Sequence, residues 1–146
     1  MNGTWDTGAA ITIVRTESGV SLTVRQLQYW DRQGVIVPEH RGPRRTRIYG
    51  FDGVRRLCLV ARLLKAGFPS NRLGAAVRNI DGASAKIGKN WDELRIVTDG
   101  AAVFVVDGER AMEAETGQLV ALILLSDLDE GARRACRRVP VWRRAA

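Results

Sequence analysis

The stretch from Thr23 to Tyr49 constrains the fold more tightly than any other part of the chain. Thr23 is placed to cap a helix starting at Val24, and Val24, Leu27 and Trp30 follow at helical spacing, which predicts an apolar side turned to a core. Gly34 stands where a helix is usually closed. Val35-Ile36-Val37 then reads as a short strand halted by Pro38, which has no backbone N–H to offer a sheet. His40-Arg41-Gly42-Pro43-Arg44-Arg45 forms a basic turn, and Arg47-Ile48-Tyr49 returns as a second strand, with Ile48 expected inward and Arg47 and Tyr49 outward. A capped amphipathic helix followed by a hairpin with a cationic tip is a narrow architectural choice.

The flanking segments fit the same design. Ile13 and Val20 predict a short helix ahead of Thr23, with a turn near Ser21-Leu22, whereas residues 1–10 show no period and receive no element. Asp52 is expected to cap a third helix running to about Ala66, with Val54, Leu57, Cys58, Ala61 and Leu64 as its buried stripe. Gly67 ends it, Ser70 offers a cap, and Leu73, Val77 and Ile80 line a fourth helix. Residues 81–90 have no apolar period and read as a linker. Beyond them, Ile96-Val97, Val103–Val106 and Leu119–Leu125 are apolar runs separated by the turn dipeptides Asp99-Gly100, Asp107-Gly108 and Thr116-Gly117, which predicts a small antiparallel sheet. A last helix is expected from Asp127 or Asp129 to about Val139, acidic at its start and basic at its end as the helix dipole favours. The fold class is therefore α+β. An N-terminal winged helix-turn-helix of about four helices and a β-hairpin wing spans 11–80, a linker 81–90, and a small acidic β-sheet domain with a basic terminal helix 91–146.

Charge is distributed in blocks. Residues 1–80 carry 13 Lys+Arg against 5 Asp+Glu, residues 81–130 carry 4 against 11, and residues 131–146 carry 6 bases and no acid. The nets of +8, −7 and +6 suit a polyanion at the first block, because neutralising phosphates releases counterions. Cys58 and Cys136 are each alone, without CxxC spacing, which fits a reducing, cytoplasmic setting. No run approaches the roughly 18 apolar residues of a membrane span, and the N-terminus has no signal-peptide pattern, so neither membrane association nor export is expected.

On the second helix, the side opposite the apolar stripe offers Arg25, Gln26, Gln28, Tyr29 and Arg32 beside the capping Thr23, a mixture suited to base edges and phosphates. A solvated surface helix carries the same pattern. The hairpin adds Arg41, Arg44, Arg45 and Arg47, four charges in seven positions that repel one another unless an anion is near, with Tyr49 after them. Together they mark double-stranded DNA as the expected partner. The segments VRQLQYWDRQGVIVP, RRTRIYGFDGVRRL and LLKAGF resemble the MerR family of bacterial transcriptional regulators over about Ile11 to Ile80. The resemblance implies a sequence-specific regulator in which Arg25, Gln28 and Tyr29 face DNA from the recognition helix while Arg47 and Tyr49 hold backbone from the wing. The chain departs from the family in two places. Thr16, Glu17 and Gly19 occupy the first helix where small or apolar helix formers are usual, and a linker and strands follow the fourth helix in place of a long dimerisation coiled coil.

Other chemistry is weakly supported. Gly82 to Asn90 lacks the spacing and the Ser or Thr of a phosphate-binding loop, and Asp127, Asp129 and Glu130 are explained by helix capping without a metal. No nucleophile–base pair presents itself, so neither an enzyme nor a cofactor is expected. Cys58 reads as a core thiol. The β segment could bind an effector, bind a protein or join two chains; the run Leu119–Leu125 is too apolar for a sheet with one wet face, which predicts a homodimer through it. Two alternatives are an antitoxin that represses its own promoter while its acidic half neutralises a toxin or other protein, and an architectural, excisionase-like DNA binder.

Overall fold

A computed structural model of the chain describes residues 3–98, 103–107 and 121–143. It opens on a strand in the segment that shows no sequence period. β1 (Thr4–Asp6) leads directly into α1 (Thr7–Ser18), whose first turn is capped by the Asp6 carboxylate accepting from the Ala9 N–H. The helix thus starts six residues before Ile13 and ends at Gly19 in the left-handed region. Its polar residues do not weaken it. Glu17 is buried against α3 (Phe51–Lys65), where Arg62 donates to its carboxylate at 2.7 Å, and Thr16 donates back to the Thr12 carbonyl.

After the turn comes α2 (Val24–Arg32), closed as expected by Gly34, whose φ of 68° is a conformation that favours glycine. Residues 35–37 are not a strand. The hairpin is instead β2 (His40–Arg41) and β3 (Arg47–Gly50), with His40 opposite Ile48 and Arg41 opposite Arg47. The tight turn dictates this register. Counting back from it, residues 35–37 would face residues 51–53, which already belong to α3. Ile36 packs in the core as part of a loop, and Val37 is exposed.

β3 is the middle strand of a sheet ordered β1-β3-β2, with Trp5 directly opposite Tyr49. This reverses the expected facing of the wing. Tyr49 and Trp5 join the main core, at 0% and 1% exposure, while Ile48, also 0% exposed, lies on the other side of the sheet and outside that core. The Trp142 ring covers part of that second side. Trp142 stands 5.6 Å from the His40 ring, its backbone N–H donates to the Thr4 carbonyl, and the Trp5 indole donates to the Val139 carbonyl.

α3 is the central helix and is buried on nearly all sides; Leu59, Val60 and Leu63 are enclosed in addition to Val54, Leu57, Cys58 and Ala61, while Leu64 is only half-buried. Asp52 is not its cap. It sits inside the first turn and pairs with Arg55 and Arg56. Burial pushes the Cys58 thiol well up, in keeping with a core residue. α4 (Leu73–Ile87) follows a 3-10 turn over Ser70–Arg72 without a side-chain cap from Ser70, and buries Leu73, Val77 and Ile80. It also runs through most of the expected linker, since the small residues of 81–87 tolerate a helix without supplying an apolar stripe. Arg56 grips Asp81 at 2.7 Å across to α3.

The remaining strands, β4 (Leu94–Thr98), β5 (Val103–Asp107) and β6 (Ala121–Leu124), make an antiparallel sheet ordered β5-β4-β6, as the apolar runs predict. Gly100, Gly108, Thr116-Gly117 and Leu119-Val120 lie outside the described residues. α5 (Leu125–Arg137) begins at the end of the last apolar run, ahead of both expected caps, and packs on α1 and α3. Asp129 is consequently a buried helix residue. Arg55, stacked 4.8 Å from the Trp91 ring, pairs with it at 3.3 Å, and burial raises its carboxyl above the ordinary value despite the charges of Arg55 and Arg133. Burial also lifts the Cys136 thiol to about 12.

Candidate nucleic-acid interface

Thr23 and Gln26 build the start of α2 and line the groove beside it, Thr23 exposed and Gln26 half-buried. The Thr23 hydroxyl accepts from the Gln26 N–H at 3.1 Å, and the Gln26 side-chain oxygen accepts from the Thr23 N–H at 2.8 Å, a reciprocal capping box. Each side chain expected at DNA is therefore engaged in fixing the helix end. Leu27 and Trp30 form the buried side alone. Val24, expected with them, is 51% exposed because it lies in the first turn, beyond the reach of the core.

Arg25, Tyr29 and Arg32 are exposed and Gln28 is half-buried; none makes a side-chain hydrogen bond or ion pair among the described residues. Arg25 and Tyr29 are one helical turn apart and share a groove wall with Arg32. Facing them across this groove are Ser70 and Asn71, from the turn ahead of α4. Sequence reading missed this pair, for a polar turn 38 positions beyond Arg32 carries no sign of its neighbour. α4 also braces α2 directly, as Arg78 donates to the Gln33 carbonyl at 3.1 Å.

The wing is locked to this helix by one carboxylate. Asp31 receives Arg41 on both oxygens, at 2.8 and 3.0 Å, and Arg47 at 2.6 Å, with its side chain only 7% exposed. Burial acts to raise the Asp31 carboxyl, but hydrogen bonds and charge from the two arginines outweigh it and hold it below the ordinary value. Asp31 is thus a positioning residue that sets the angle between helix and wing. The signal for it was an acid just after the two aromatics and ahead of four wing arginines. Arg41 and Arg47 are correspondingly occupied, the first exposed and the second half-buried. Tyr49 is removed from the expected contact set, since its hydroxyl is enclosed in the core without a hydrogen-bond partner. Burial pushes its ionisation up to about 12, so it stays neutral.

Arg44 and Arg45 hold the tip, exposed and free of ion pairs among the described residues. Both have positive φ, 57° and 59°, and the Thr46 N–H donates to the Pro43 carbonyl, closing a two-residue turn of the mirror-image type that favours Asn-Gly. A left-handed conformation costs a side-chain-bearing residue about 1–2 kcal/mol. Two arginines held there mark a tip where charge is retained against backbone preference. Replacing them through Arg44→Asn with Arg45→Gly is expected to raise stability by roughly 1–2 kcal/mol in urea unfolding, while weakening binding to every duplex alike. A variant that lost stability would show that the turn is not strained.

Residues 11–79 match the family model described as MerR HTH family regulatory protein. No curated protein matches the chain.

Proposed function

We propose, from the premise that residues 11–79 are a MerR-type helix-turn-helix domain and make this chain a DNA-binding transcription regulator, that it reads an operator as a homodimer. In this reading α2 lies in the major groove with Arg25, Gln28 and Tyr29 toward base edges and Arg32 toward the backbone. Arg44 and Arg45 meet phosphates from the wing tip, with the exposed flank of Arg41 beside them. The observation that carries the proposal is the Asp31 clamp. It presents a capped helix with an unpaired polar face and a strained cationic tip as one rigid unit.

The acidic β segment supplies the dimer contact. In its middle strand Val97 stands in register with Phe104 on one side and Leu122 on the other, and Val97 is only half-buried within a single chain. Binding, without catalysis, is the whole activity in this reading. Among the described residues no helix is long and apolar enough to cross a membrane.

Selection of random duplexes on the full chain tests both parts. Enrichment of one sequence as an inverted repeat, together with sedimentation at the mass of two chains at micromolar concentration, is the expected result. An enriched single half-site with a monomeric chain would overturn the dimer, and no enrichment would overturn sequence-specific reading.

A further inference from the structure

The C-terminal tail carries cations to the wing. From Arg138 to Arg143 the chain leaves α5 beside the core and passes β1 to the wing, where the Trp142 ring reaches the Ile48 side of the β1-β3-β2 sheet. It is held at both ends. Near its start the Val139 carbonyl accepts from the Trp5 indole at 3.3 Å; near its finish the Trp142 N–H donates to the Thr4 carbonyl at 2.7 Å, and the Trp142 ring packs edge-on to His40. The same ring lies against Gly42, where an added Cβ would meet it at 3.1 Å, two residues ahead of Arg44 in the wing tip.

This placement gathers charge without compensation. Residues 131–146 contain 6 arginines and no acid. Of those described, Arg134 pairs with Glu130 and Arg133 stacks over Phe51, whereas Arg137, Arg138 and Arg143 are exposed and make no ion pair among the described residues. Arg137 has an ordinary explanation at a helix C-terminus, where the dipole favours a cation. Arg138, whose N–H closes the last turn on the Ala135 carbonyl, shares that explanation; Arg143, six residues past the helix, does not. Arg143 directly follows the tryptophan seated on a wing whose own tip holds two unpaired arginines. Like charges on two segments joined through the Trp142 contact favour a polyanion that touches both.

We infer that Arg138 and Arg143 form a second phosphate-binding edge, gripping the backbone of the duplex that the wing tip grips and extending the footprint outward from the wing. The inference rests on the DNA-binding reading above. Trp142 is the positioning residue and Arg143 the contact. The edge adds affinity without sequence preference, because phosphates carry no base identity.

The test is the salt dependence of binding by the full chain to its selected duplex, followed by fluorescence anisotropy from about 50 to about 200 mM salt. Each phosphate contact contributes roughly 0.9 to the slope of log K against log salt, so Arg138→Ala with Arg143→Ala should flatten it by about 1.8. Lysine at both positions should restore the slope, and Arg134→Ala should leave it unchanged. Preference for the operator over a scrambled duplex is expected to hold throughout. A double alanine variant that binds with the wild-type slope overturns the tail edge alone. A wild-type chain that binds no duplex overturns the DNA-binding reading itself and this inference with it.

Discussion

Replacing Trp5 by alanine should lower the unfolding free energy by about 3–5 kcal/mol, the range for removing a buried tryptophan. Trp5 is 1% exposed in the main core, stands opposite Tyr49 across the sheet, and donates its indole N–H to the Val139 carbonyl. Its loss opens a cavity beneath the wing and frees the start of the tail together. Urea unfolding checks this, with a lower midpoint and an unchanged slope marking a pure stability loss. Trp5→Phe separates the two contributions, since it keeps most of the apolar volume and removes the hydrogen bond, worth about 1 kcal/mol. A loss below about 1 kcal/mol for the alanine variant would mean that β1 is not part of the folded unit.

The second large effect is on recognition. Arg25→Ala and Gln28→Ala are each expected to weaken binding to the selected operator by about 1–3 kcal/mol, the worth of a good base contact, and to narrow its advantage over a scrambled duplex. Neither side chain has a hydrogen bond or ion pair among the described residues, and the capping box that stabilises α2 involves neither. The thermal midpoint should therefore stay within the small range typical of surface changes. Competition binding with operator and scrambled duplexes reads the result. Equal losses on both would assign these residues to phosphates and leave base reading to Tyr29 or to DNA shape.

Much of the candidate interface was legible in the chain because its determinants are local. The α2 cap, the Gly34 stop, the solvent side of Arg25, Gln28, Tyr29 and Arg32, and the basic tip at Arg44 and Arg45 all follow from spacing over a few residues. The errors came where one local rule was extended across a tertiary contact. Alternation along β3 correctly separated Ile48 from Tyr49, but which side met the core depended on where Trp5 would pair. Tyr49 and Arg47 looked like wing contacts until β1 and Asp31 engaged them. The segment 81–87 lacked an apolar stripe, yet α4 continues through it, tied to α3 by Arg56 and Asp81.

By itself the sequence determined the α+β class, the capped helix with its unpaired polar face and the cationic turn, since backbone propensity and side-chain period act between near neighbours. The tertiary structure alone decided how Thr23–Tyr49 is mounted. It reversed the facing of β3, fastened the wing to the helix through Asp31, and brought Trp142 of the arginine-rich tail onto the sheet's open side. Those outcomes join residues up to 138 positions apart, as between Thr4 and Trp142. Burial and charge pairing at such separations depend on how all the elements pack together, and no local pattern encodes them.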